Sequence, residues 1–91
     1  MRLPGRTIIV TGGAAGIGAT YAAGLVREGA VVYIADVADG TSIAAELTSG
    51  GPGSAVFART DVGNEESVRA LVSTVVGDRG RIDVLVNNAA L

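Results

Sequence analysis

The 91-residue chain has no cysteine, histidine or tryptophan, and its seven basic residues are all arginine, so lysine is absent too. Each absence removes a class of chemistry. Without cysteine there is no disulfide framework, thiolate zinc site or cysteine nucleophile. Without histidine a Ser-His-Asp triad cannot be assembled, and without lysine there is no Walker A loop. The formal net charge is −2 and no basic residues cluster, which excludes the electrostatic footprint of a nucleic-acid partner. Met1 is followed by Arg2-Leu3-Pro4-Gly5-Arg6 rather than an apolar signal core, and no apolar run approaches a membrane span. The expectation is a soluble chain with no membrane partner, and the cytoplasm is its default location.

Aromatics make up only 3% of the residues while hydrophobic residues reach 48%, so apolar character rests on small side chains, Ala and Val above all. Such a composition suits helices packed closely on a parallel sheet and argues against disorder. The length allows one domain at most, and is short for an open α/β sheet covered on both faces.

Along the chain, short β-branched runs alternate with helical segments. Arg6 to Val10 reads as a first strand, and Ile17 to about Glu28 as a helix with Ile17, Tyr21 and Leu25 on one face beside Ala22 and Val26. Val31 to Asp36 is the second strand. A weaker helix opens at Asp39-Gly40-Thr41 and is ended by Gly50-Gly51-Pro52-Gly53. Ser54 to Asp61 is the third strand, and Gly63-Asn64-Glu65-Glu66 supplies a cap and acids for a third helix. That helix carries Val68, Leu71, Val72, Val75 and Val76 at amphipathic spacing and stops at Gly77-Asp78-Arg79-Gly80. A fourth strand, Ile82 to Val86, runs into Asn87-Asn88-Ala89-Ala90-Leu91.

The alternation predicts a β-α-β-α-β-α-β unit: an α/β, Rossmann-like, doubly wound parallel sheet in three α/β/α layers. The first strand is expected at the centre, the second and third to one side and the fourth to the other. A nucleotide is then expected at the switch point between the first and fourth strands.

Two features point to that nucleotide. Thr11-Gly12-Gly13-Ala14-Ala15-Gly16-Ile17-Gly18 follows a strand and opens a helix, where glycines allow a tight turn and the helix N-terminus attracts a pyrophosphate. Asp36 ends the next strand, at the spacing of an acid that binds ribose hydroxyls. An ordinary strand-helix turn explains the glycines alone. It does not explain their pairing with Asp36.

These residues strongly resemble the N-terminal half of a short-chain dehydrogenase/reductase. The family's Thr-Gly-x-x-x-Gly-x-Gly turn matches Thr11, Gly12, Gly16 and Gly18, whereas the extended, epimerase-like spacing needs glycine at Ala15. The acid after the second strand matches Asp36, Asp-Val after the third matches Asp61-Val62, and Asn-Asn-Ala-Gly matches Asn87-Asn88-Ala89, with Ala90 in place of glycine. The resemblance implies that Gly12, Gly16, Ile17 and Gly18 wrap the pyrophosphate and Asp36 holds the adenosine ribose. It implies that Asp61 and Val62 meet adenine, and that Asn88 and Ala89 line the cofactor cleft. Asp61 as a simple helix cap, and Asn87 as a tie between strands, remain open beside these roles. Tyr21 and Tyr33 read as packing residues.

NADP-preferring relatives commonly carry a basic residue just before the second glycine or just after the second strand; here those places are Ala15 and Val37. With Asp36 repelling a 2′-phosphate, NAD is the expected cofactor. The family's catalytic Ser, Tyr and Lys follow the fourth strand, so no catalytic residue is assigned among these 91 residues, and the chain alone is expected to be inactive.

The chain is read as the start of a longer NAD(P)-binding domain, residues 1–91 being its N-terminal part. The resemblance implies hydride transfer between nicotinamide and an alcohol or carbonyl substrate, in a homodimer or homotetramer. A short nucleotide- or partner-binding protein without catalysis, and another Rossmann-like enzyme such as a methyltransferase, are the readings from other classes. No metal site is expected.

Overall fold

The structure, a computed structural model, describes residues 1–88. Seven elements follow one another: β1 (Thr7–Thr11), α1 (Gly16–Arg27), β2 (Val31–Asp36), α2 (Thr41–Gly50), β3 (Ser54–Arg59), α3 (Glu65–Arg79) and β4 (Val84–Asn87). The four strands form one parallel sheet in the order β3-β2-β1-β4. The expected unit and strand order are both present, with β1 and β4 meeting at the reversal of strand order.

Alternation along the strands divides the core into two layers. Ile8, Val10, Val32, Ile34 and Ala55 face Ala22 and Val26 of α1 and Ala44 of α2. Ile9, Tyr33 and Ala35 face Leu71 and Val75 of α3 on the other side. Both faces of β1 and β2 are therefore dry, which is why these strands read as unbroken apolar runs. Among the described residues, no helix is long and apolar enough to cross a membrane, and no cluster of His, Cys, Asp or Glu is suited to a metal ion.

Several sequence expectations need correction. In α1 the face against the sheet is Gly18, Ala22 and Val26, with Leu25 at its margin, while Ile17 is 66% and Tyr21 49% exposed. Tyr21 is thus not a packing residue here. The helix comes so close to the sheet that only small side chains fit beneath it, and the larger residues of the same turns are displaced sideways. Tyr33 does pack, and its buried hydroxyl donates to Asp78 Oδ2 at 2.9 Å.

α3 is capped as expected, with the Ser67 N–H donating to Asn64 Oδ1 at 3.0 Å. It passes through Gly77 and stops at Gly80, which adopts φ +80° and donates its N–H to Val76 O at 2.8 Å. A left-handed residue is what ends the helix, and glycine reaches that conformation at little cost. Only Leu71 and Val75 of the predicted stripe are buried; Val72 and Val76 are exposed. β4 begins at Val84 rather than Ile82, because Asp83 already meets β1 through its own groups: its N–H donates to Thr7 O, and its Oδ2 accepts from Thr7 N, both at 2.8 Å.

Candidate functional site

The predicted site residues that fall within the described region gather along the C-terminal edge of the sheet. Gly12 N–H donates to Ala35 O at 2.8 Å, tying the glycine turn to β2. Thr60 N–H donates to Asp36 O at 3.0 Å, which carries β3 past its last ladder position and sets Asp61 and Val62 next along the same edge. Asn88, just beyond β4, donates its backbone N–H to Thr11 Oγ1 at 2.9 Å and its Nδ2 to Gly12 O at 3.2 Å. Four loops from four strands thus share one rim. Ala89 lies outside the described residues.

At the centre of this rim is the start of α1. Gly12 and Gly16 adopt φ +67° and +59°, so the turn needs glycine there for backbone reasons. Gly18 is required for a different reason: a Cβ on it would stand 2.0 Å from Gly12 O and 2.7 Å from Asn88 Nδ2. Helix, turn and β4 loop touch at this point, with no room for a methyl group.

No side chain caps α1, and its first backbone hydrogen bond runs from Ala19 N–H to Ala15 O at 3.3 Å. The preceding N–H groups, of Gly16, Ile17 and Gly18, lie in the unpaired first turn, where the helix dipole adds partial positive charge. No acidic side chain occupies that turn. Ile17 is exposed beside it, suited to lie against a ligand rather than in the core. The arrangement is suited to an anion of phosphate type.

Asp36 borders this cradle. Its Oδ2 accepts from Ala14 N–H at 3.1 Å and its Oδ1 from Ala38 N–H at 3.0 Å, so the carboxylate is fixed while a lone pair on each oxygen stays available. A fixed, anionic acceptor is suited to vicinal hydroxyls. Asp61 Oδ1 accepts from Gly63 N–H at 2.9 Å and closes the turn before α3; the cap itself is Asn64. The helix-cap alternative for Asp61 is thereby set aside. Val62, its neighbour, is half-buried. Asn87 ties strands together, accepting from Thr11 Oγ1 at 3.2 Å.

A cleft of about 620 Å³ lies on the α1 side of β4, lined by Thr20, Tyr21, Leu25, Val86 and Asn88 among others. Of the predicted site residues it includes only Asn88, so it adjoins the anion cradle rather than coinciding with it. Exposed Tyr21, a packing residue by sequence pattern, stands on its wall instead. The signal that would have revealed this was the Gly18-Ala22-Val26 line, since a face of small residues marks closest approach to a sheet.

Comparison with known proteins bears on these features. The family described as short chain dehydrogenase matches residues 6–91. Momilactone A synthase of Oryza sativa subsp. japonica is 42% identical over 92 residues, covering 99% of this chain and 32% of that protein. D-xylose 1-dehydrogenase of Caulobacter vibrioides is 42% identical over 88 residues, covering 96% of this chain and 34% of that protein. The chain thus spans about a third of the length of these curated relatives. Among solved structures, a short chain dehydrogenase from Mycobacterium smegmatis superposes with a TM-score of 0.90 at 39% identity, covering 99% of this chain and 39% of its own. An NADH-dependent reductase complexed with NAD superposes with a TM-score of 0.87 at 37% identity, covering 98% of this chain and 38% of its own. By its sequence match, its sheet order and its glycine turn, the chain belongs to the short-chain dehydrogenase family.

Proposed function

We propose that these residues are the cofactor-binding half of an NAD-dependent oxidoreductase that transfers hydride between nicotinamide and an alcohol or carbonyl substrate. The observation that carries the reading is the uncapped start of α1, set under a glycine turn and bordered by the fixed carboxylate of Asp36. Gly12, Gly16, Ile17 and Gly18 hold the pyrophosphate, Asp36 accepts from the ribose hydroxyls, Asp61 and Val62 flank adenine, and Asn88 closes the cleft beside Gly12. The bound nicotinamide supplies the hydride acceptor or donor. The residues here bind and orient it, and without a lysine they hold no Tyr-x-x-x-Lys pair to move the substrate proton. The 91 residues alone are inactive in this reading, and the active protein is a homodimer or homotetramer.

Support comes from the relatives named as dehydrogenases and from the NAD complex of a structural neighbour. Preference for NAD over NADP rests on Asp36, whose charge repels a 2′-phosphate. Calorimetric titration of the protein with NAD, NADP and S-adenosylmethionine tests the reading. Saturable binding of NAD, tighter than NADP, is expected. Binding of S-adenosylmethionine in place of either dinucleotide would show a different Rossmann-like enzyme, and tighter NADP would overturn the cofactor preference.

A further inference from the structure

In the sequence no basic residue stands near Asp36, with Ala15 and Val37 at the two places where one would meet a 2′-phosphate. In the fold one is present. The parallel register of β2 and β3 pairs Asp36 with Arg59, strand neighbours about 5 Å apart at their backbones. Paired positions on adjacent strands share a face of the sheet, and these two are locked together at the rim by the Thr60 N–H bond to Asp36 O.

The two side chains are not used up on each other. Both Asp36 oxygens are held by backbone N–H groups, of Ala14 and Ala38. Arg59 is exposed and, among the described residues, its guanidinium makes no ion pair or hydrogen bond. Its charge nevertheless reaches the loop that follows β2. The carboxyl of Asp39 sits below its ordinary value, chiefly through the Thr41 hydroxyl and N–H, with Arg59 adding to the effect. That loop carries no basic residue of its own between Asp36 and Thr41.

We infer that Arg59 is a second specificity determinant of the ribose pocket, offering its guanidinium to a 2′-phosphate and offsetting the repulsion from Asp36. The inference rests on the dinucleotide reading above. Preference for NAD is then a balance between one fixed anion and one exposed cation on neighbouring strands, and is narrower than Asp36 alone would set. Arginine suits this part because its planar fork binds phosphate oxygens bidentately and never deprotonates.

The test is the ratio of dissociation constants for NAD and NADP, with AMP and adenosine 2′,5′-bisphosphate as shorter probes, in the protein and in Arg59→Gln, Arg59→Lys and Asp36→Asn. Taking one charge away from a phosphate dianion a few ångströms off, in screened water, is expected to weaken binding of the 2′-phosphorylated ligands by about three- to tenfold. NAD and AMP are expected to change by less than about twofold. Arg59→Lys keeps most of the ratio. Asp36→Asn improves NADP binding, and Arg59→Gln added to it removes most of that gain.

An unchanged ratio in Arg59→Gln, alone and combined with Asp36→Asn, overturns the inference while the dinucleotide reading stands. A protein that binds neither dinucleotide nor either probe overturns both. Arg59→Gln alters an exposed side chain without a partner, so its fold is expected to persist; should it not, the Asp36→Asn protein decides the matter, because with the repelling anion gone its affinity for adenosine 2′,5′-bisphosphate relative to AMP is expected to fall as salt rises. A relative affinity independent of salt in Asp36→Asn counts against the inference.

Discussion

β2 and β4 flank the same strand, β1, and both are short apolar runs, yet their surroundings are opposite. Val32, Ile34 and Ala35 of β2 are fully buried between α1 and α2 on one face and α3 on the other, with β1 and β3 on its two edges. Val84 and Leu85 of β4 are 43% and 59% exposed, and among the described residues β1 is its one strand neighbour. What holds β4 is largely polar. Asp83 grips Thr7, Asn87 accepts from Thr11, and Asn88 reaches Thr11 and Gly12. An apolar run therefore announces a strand but not its burial; that depends on how many layers and neighbours come to meet it.

The contrast breaks most forcefully at Gly18, where α1 is pressed onto the turn and onto Asn88. Gly18→Ala puts a methyl group against backbone oxygen, which cannot yield, so a loss of about 3 kcal/mol or more is expected. Urea unfolding measures it, and NAD titration should show binding lost with it. A variant with unchanged stability would mean that α1 is free to lift from the sheet.

Next comes a matched pair of truncations. Ile34→Ala, in the dry core, is expected to cost about 3 kcal/mol, and Leu85→Ala on β4 less than about 1 kcal/mol. Similar losses for both, by thermal or urea unfolding, would show that Leu85 is covered in solution and would erase the contrast between the strands.

The smallest effect concerns the polar clasp. The carboxyl of Asp83 lies below the ordinary carboxylate value, first because it accepts from the Thr7 N–H and then through the Arg81 and Arg6 guanidinium groups. With its value lowered by folding, Asp83 contributes its full stability above the ordinary value of 3.8, and loses it as pH falls through the folded-state value. Protection of the β4 amides against hydrogen exchange, taken relative to the intrinsic rate at each pH, should therefore fall on acidification before that of β2, and Asp83→Asn should flatten that pH dependence. Parallel behaviour of the two strands would show that the clasp does not hold β4.

Much of this was legible beforehand because it is local. Turn glycines, the Asn64 cap and β-branched runs are decided within a few residues, so the seven elements, their order and the parallel topology could be read in advance. The stretch Gly77-Asp78-Arg79-Gly80 marks the end of α3, but only the backbone conformation distinguishes Gly77, inside the helix, from Gly80, the left-handed stop. Tyr21 and Ile17 stand outside the core: periodicity shows which residues share a face, not how close that face comes to the sheet. Asp61 and Asn88 were legible as rim residues, but their bonds to Gly63 and Gly12 depend on loop conformation.

The alternation of strands and helices, the glycine turn before α1 and the acid at the end of β2 are written in the order of residues, since each depends on backbone geometry or side-chain type at close range. That Gly18 has no room for a methyl group, that β4 is held by polar clips and that Arg59 stands beside Asp36 follows from the folded arrangement alone. Those are contacts between residues far apart in the chain. They exist because parallel strands bring their ends to one edge, and no local pattern records which side chains meet there.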